Sequence, residues 1–390
     1  MKFRYAVKFF ITVSLIIIST SARNNAASQP APSPIDSVKA LDLQASKPDT
    51  GIVMSGITGL PYISYTPETK LSAGIAGMYF FRNNDPRLFM RPSSVSVGIN
   101  YTQRKQLTIV TNYDIYFSDG NYRLFGRGSY EKYPFDFYGI GNATSEKMEE
   151  EYTPNSFTLT TSFLFNLMRS PVGQGLNAGP TYQFRHDKIV ERENGGLLAS
   201  GLVRGYDGGF VSGLGLMANW DTRNNVFSAS DGSYYEFSMI FYSKLFGSDY
   251  FFNRYVFDGR KYFSVTKTHV LAIQTYLSFI TGNPPFYMLS LLGGDLSMRG
   301  YFLGRFRDNH MMVFQAEYRL PVWWRFGLVG FVGLGDVSHR IGGFRLDSIK
   351  FSYGPGLRFF VKPEEKIALR IDYGIGDKSS QIYITFLEAF

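Results

Sequence analysis

The 390-residue sequence contains no cysteine. Disulfides, thiolate metal sites and a cysteine-borne lipid anchor are therefore excluded. Histidine is scarce, and His186, His269, His310 and His339 lie in separate segments without the spacing of metal ligands. No block of Lys and Arg occurs, so a nucleic-acid partner gains no support. Downstream of the N-terminus, no apolar run reaches the roughly 18 residues of a membrane-spanning helix.

Motifs that carry chemistry are equally thin. Gly213-Leu214-Gly215 sits inside a strand pattern and opens no helix, so phosphate binding is not indicated. Ser338 and His339 are neighbours in a strand-like segment and point to opposite faces, which gives no nucleophile and base pair. The run Glu149-Glu150-Glu151 reads as a solvated loop. The expectation is a protein that is not an enzyme and holds no cofactor and no metal.

What is present begins with an export signal. Lys2, Arg4 and Lys8 precede an apolar run from Phe9 to Ile18 and the small residues Ser19, Thr20, Ser21 and Ala22. This is the layout of a signal peptide over residues 1–22, with cleavage between 22 and 27 and export by the Sec pathway. Its loss lowers the formal charge from +8 to +5, since it carries three basic residues and no acidic one. Residues 28–50, with Pro30, Pro32, Pro34 and Pro48, read as a flexible periplasmic tether. The tether is too short for a domain, which takes at least about 50 residues.

Aromatic residues make up 17% of the chain, with 36 Phe and 27 Tyr, and their pattern has a period of two. In 107–117 the set Leu107, Ile109, Tyr113, Ile115 and Phe117 alternates with Thr108, Asn112 and Asp114. In 312–320, Met312, Phe314, Ala316, Tyr318 and Leu320 alternate with Gln315, Glu317 and Arg319. Such alternation places residue types on opposite faces of a strand. It fits a soluble sandwich or barrel with a packed core, or a transmembrane barrel with an apolar exterior and a polar lumen.

Length and number separate the two. Sixteen segments carry the pattern: 57–65, 71–81, 93–102, 106–117, 122–131, 156–167, 175–187, 211–221, 232–243, 252–263, 268–280, 311–320, 326–337, 348–361, 366–375 and 381–389. Most run 9 to 14 residues, whereas soluble strands peak near about 5 to 6 and tilted membrane strands need about 9 to 11. The longest connections, 132–155, 188–210 and 281–310, all follow odd strands. Ser118–Asn121, 264–267 and 362–365 are tight and follow even ones, although 82–92 and 222–231 are longer than a turn. Long loops outside and short periplasmic turns are the habit of outer-membrane barrels. The expected fold is all-β, a 16-stranded antiparallel transmembrane barrel over 55–390. Its setting is the Gram-negative outer membrane, and its partners are the lipid bilayer and lipopolysaccharide.

The sixth outward connection holds Gly293, Gly294 and Met298-Arg299-Gly300-Tyr301. This resembles the Arg-Gly-aromatic motif of the BamA/TamA family of outer-membrane assembly and translocation barrels, also called the bacterial surface antigen family. Phe137-Tyr138-Gly139-Ile140-Gly141-Asn142, Asp221-Thr222-Arg223, Glu317-Tyr318-Arg319-Leu320-Pro321, Arg370-Ile371-Asp372-Tyr373-Gly374 and the terminal Phe390 stand where that family has similar residues.

The resemblance covers about residues 55–390 and implies a role in insertion or export, with loop six folded back into the lumen. Gly293, Gly294 and Gly300 permit positive-φ turns, and Arg299 offers a planar fork to a carboxylate. Strand alternation turns Glu317 inward as the first candidate partner. The family's Phe-x-Asp-x-Gly pattern has Gly333 in place of Asp here. That contact is lost or passes to Asp336, whose parity is wrong. Arg299 is otherwise a solvated loop residue.

Family members also carry periplasmic POTRA domains, for which the tether leaves no room, so an accessory periplasmic protein or lipoprotein would supply that role. The alternative is a passive pore or surface structural protein. Ile382, Ile384, Phe386 and Phe390 resemble the C-terminal signal of barrel substrates, with Glu388 interrupting it, and mark the chain as a client of the assembly machinery.

Overall fold

The structure, a computed structural model, describes residues 55–81, 92–170, 174–363 and 366–390. The expected leader and tether, most of 82–92 and part of 362–365 lie outside the described residues.

Sixteen long strands follow one another: β1 Ser55–Thr66, β2 Lys70–Phe81, β3 Ser93–Thr102, β4 Leu107–Phe117, β5 Tyr122–Lys132, β6 Glu150–Met168, β7 Gly175–Arg192 and β8 Gly208–Asp221, then β9 Gly232–Tyr242, β10 Phe252–Ser264, β11 Val270–Gly282, β12 His310–Trp323, β13 Phe326–Ser338, β14 Lys350–Lys362, β15 Ile367–Gly376 and β16 Ser379–Phe386. Each pairs antiparallel with its chain neighbours, and β16 pairs with β1, so the sheet closes into a barrel. Closure lets strand backbone groups pair within the sheet, as hydrocarbon requires.

The side chains are sorted in the opposite sense to a soluble core. On β12, Phe314 and Tyr318 are exposed while Gln315, Glu317 and Arg319 are buried. On β13, Leu328, Val332 and Leu334 face out. Ile57, at 85% exposure, begins an outer apolar surface that continues through Ile63, Ile75, Val97 and Ile99 on the first three strands. An apolar exterior around a charged interior is stable only in lipid. Trp323 and Trp324 are exposed at the β12–β13 turn beside Phe326 and Phe359, an interfacial arrangement.

Four elements differ from the sequence expectation. β6 and β7 extend to Glu150 and Arg192, beyond their alternating cores. Their charged outer ends read as loop, but Tyr152↔Arg192 pairing continues the ladder there. A short strand, Phe135–Phe137, pairs with residues 150–152 inside the expected loop 132–155. The last strand stops at Phe386 instead of 389, because Leu387 takes φ +64° and turns the chain inward.

The closure between β16 and β1 is unlike the others. β1 pairs with β2 along its whole length, from Ser55↔Phe81 to Thr66↔Lys70. With β16 it shares one register position, Tyr65↔Ile384. Continuing that register sets Phe386 opposite Ile63, so residues 55–62 of β1 run past the end of β16.

Candidate functional site

The connection between β11 and β12, residues 283–309, folds upon itself through a small hairpin, Ser290–Leu292 with Phe306–Asp308. Between its arms a helical turn, Gly294–Ser297, leads into Met298-Arg299-Gly300-Tyr301. Gly293, Gly294 and Gly300 adopt φ of +116°, +82° and +106°. At Gly300 space also decides. A Cβ there would stand 2.8 Å from the backbone of Ile375, and one at Gly374 would stand 2.4 Å from the Gly300 nitrogen. Only glycine lets two backbones approach so closely.

Hydrogen bonds fix this contact. Gly300 N–H donates to the Tyr383 hydroxyl (3.2 Å), and that hydroxyl donates to the Tyr301 carbonyl (3.1 Å). The Tyr301 hydroxyl donates to the Phe351 carbonyl (3.0 Å) and accepts from Asp377 N–H (2.8 Å). Leu296 carbonyl accepts from Gln315 Nε2 at 2.7 Å.

Arg299 lies at the centre, its side chain fully buried. Its two Nη atoms stand 2.5 Å from Glu317 Oε1 and 2.5 Å from Asp372 Oδ2. The guanidinium lies 3.7 Å above the Phe331 ring. Burial disfavours its charged form, but Glu317 and Asp372 outweigh that and raise its pKa above the ordinary arginine value.

The network extends in both directions. Glu317 also pairs with Arg319 (2.8 Å), and Asp372 with Arg358 (2.6 Å). Arg358 reaches Glu388 (2.8 Å), while Arg370 reaches Asp295 of the loop (2.7 Å). Four guanidinium groups thus face four carboxylates among these buried residues. Such a balanced set avoids the several-kcal/mol penalty of an unpaired buried charge, which is about 3–5 kcal/mol when one partner is removed.

The position expected of Asp336 is filled differently. Asp336 accepts hydrogen bonds from Ser348 Oγ (2.7 Å) and Asn142 Nδ2 (3.4 Å), holding two other loops. Asp372, two strands away, is the second carboxylate on Arg299. Gly333 and Gly335 leave room for Met298, because a Cβ at Gly335 would lie 2.8 Å from its sulfur.

Other residues join the loop to the wall. Glu68, in the β1–β2 turn, is buried and accepts from Leu303 N–H at 2.8 Å. Among the described residues no cation pairs with it. Burial raises its pKa from an ordinary 4.5 to about 7, against the opposing Leu303 hydrogen bond. Arg104, in the β3–β4 turn, clasps Asp136 with both Nη atoms and reaches Glu151 at 3.0 Å. Phe135, Phe137, Tyr152, Leu198, Phe286 and Phe302 pack the long loops on one another.

The residues of the expected C-terminal signal separate. Ile382 is exposed and Ile384 half-buried, whereas Phe386 and Phe390 are buried. Phe386 joins Tyr62 and Leu369, and Phe390 joins Tyr262 and Ala272. The main-chain oxygen of Phe390 accepts from Arg319 (2.8 Å). The histidines lie apart, with His186 stacked on Phe210 and His339 3.5 Å from Asp308.

Sequence reasoning missed Glu68 and Asp372 as contacts of the loop, and Asp295 as the loop's own carboxylate toward Arg370. Asp372 alone left a signal, since it shares a β15 face with Arg370 in a quoted motif.

An antiparallel sixteen-stranded cylinder with an apolar exterior and a charged interior is an outer-membrane β-barrel. The Omp85 superfamily domain matches residues 88–385, and the chain belongs to that superfamily. Its barrel is similar to that of BamA from Haemophilus ducreyi lacking POTRA domains 1–3, with TM-score 0.59 and 16% identity over 85% of this chain and 69% of that one. It is also similar to CdiB from Acinetobacter baumannii (TM-score 0.58, 13% identity, 86% of this chain and 60% of that). CdiB from Escherichia coli gives TM-score 0.55 and 11% identity, over 86% of this chain and 63% of that one. The chain therefore spans less than two thirds of either CdiB chain. No curated protein matches the sequence.

Proposed function

We propose that this Omp85-type barrel acts without catalysis in inserting or exporting outer-membrane proteins. It reaches the membrane by a Sec leader and the assembly machinery, sits against lipopolysaccharide in the outer leaflet, and works with a separate periplasmic protein or lipoprotein. The observation that carries this reading is the β16–β1 seam. A strand edge with one paired position leaves N–H and C=O groups along residues 55–62 without a strand partner among the described residues, an edge suited to a client strand. In the same reading loop six plugs the lumen. The buried pairs Arg299–Glu317 and Arg299–Asp372 support this, since both carboxylates lie on the inward faces of β12 and β15.

The test uses the absence of cysteine. Tyr65→Cys with Ile384→Cys forms a bridge across the seam on oxidation. Locking it should lower the levels of dependent outer-membrane proteins in a native host, with recovery on reduction. Full function with the seam locked defeats the proposal. A passive pore predicts a different result, a steady, large planar-bilayer conductance that the lock does not alter.

A further inference from the structure

The turn joining β8 to β9, residues 222–231, leaves the same rim at which β16 ends, since both strands are even-numbered. In strand order it stands opposite the β16–β1 seam. Its contacts nevertheless reach the seam. Phe227 packs against an apolar cluster that contains Tyr62 of β1, Ile367 and Leu369 of β15, and Phe386 and Leu387 at the end of β16. Ser230 Oγ lies 3.3 Å from Lys366 Nζ, in the β14–β15 turn. Ala229 is buried in one cluster with Ala389, Phe390 and Tyr262.

The turn is also internally braced, which a loose connection would not need. Asn224 Oδ1 accepts from Ser230 N–H (3.1 Å) and Asp231 N–H (3.3 Å), and Asn224 Nδ2 donates to Ser230 Oγ (2.8 Å). Asn225 Oδ1 accepts from Phe227 N–H (2.8 Å) and Ser228 N–H (3.1 Å). Asp221 and Arg223, paired at 2.9 Å, secure its base.

We infer that residues 222–231 form a strap which, with the inward-turned segment 387–390, closes the barrel end opposite loop six and is coupled to the seam. Phe227 packs on an apolar cluster to which both seam strands contribute side chains. Separation of β16 from β1 therefore removes its seat, and the strap lifts when the seam parts. This does not depend on the client being a membrane protein, and its readouts are independent of assembly activity.

Two measurements test it on the folded barrel, verified by its heat-modifiable gel mobility. First, Ala272→Cys places a thiol in the cluster that holds Ala229, at a position that is fully buried. Its labelling by an impermeant maleimide should speed up several-fold when Phe227→Ala is added. An unchanged rate in a folded barrel overturns the strap as a closure. Second, hydrogen exchange across 222–231 is compared in Tyr65→Cys/Ile384→Cys protein before and after reduction. Slower exchange with the seam bridged supports the coupling, and equal exchange in the two states overturns it.

Discussion

At the scale of single residues, Arg299 decides whether the long loop stays in place. Arg299→Ala leaves Glu317 and Asp372 buried without their shared cation, a change that costs about 3–5 kcal/mol. The expected outcome is protease cleavage within 283–309 and less heat-resistant folded barrel, and Arg299→Lys should rescue poorly because one ammonium cannot match the planar fork. Asp372→Asn should loosen the same loop, whereas Asp336→Asn should leave its protease resistance intact. Reversal of that order would show that the carboxylate assignment is wrong.

Glu68 gives a pH dependence. Its pKa is raised in the fold, so its contribution is fully present below about 4.5 and is lost as pH rises through about 7. Asp295, an anion near it, adds to the cost of charging it. Proteolysis of the loop should quicken over that window, and Glu68→Gln should flatten the profile. Arg299 and Glu317 were legible because a motif and an alternation each named one residue. Glu68 was hidden, and the motif that holds Asp372 did not name its partner, because the meeting of either residue with the loop depends on how the barrel closes.

At the scale of elements, period-two alternation located all sixteen strands, usually to within two residues at each end. It failed where alternation ceases to report on lipid. β6 and β7 continue above the apolar belt, where Tyr152 and Ile189 pack inward under the long loops and the outward positions no longer meet lipid, so their outer ends carried loop-like charge. β16 shortens for the opposite reason, because Glu388 meets Arg358 inside and draws the chain off the wall. Gly300 offers a test of the loop's docking. Gly300→Ala places a methyl group against the backbone of Ile375 and strains φ, so loop protection should fall while barrel mobility on gels is retained. Unchanged protection would mean that the loop and β15 do not touch as described.

At the scale of the molecule, the barrel depends on two opposite sortings of side chains, apolar outward to lipid and charge-balanced inward. The unequal length of its strands adds a consequence for the surrounding membrane. Eight residues of β16, tilted at about 40°, cover only about 20 Å of thickness, short of the apolar band of about 25 Å usual in such barrels. Acyl chains beside that strand must compress or disorder to meet it, at a cost of fractions of a kcal/mol per Å. Short-chain phospholipids relieve this mismatch. Vesicles of thinner lipid should therefore take up the purified barrel faster and hold it more stably than thick ones, and the lipid fluidity next to β16 should exceed that on the far side.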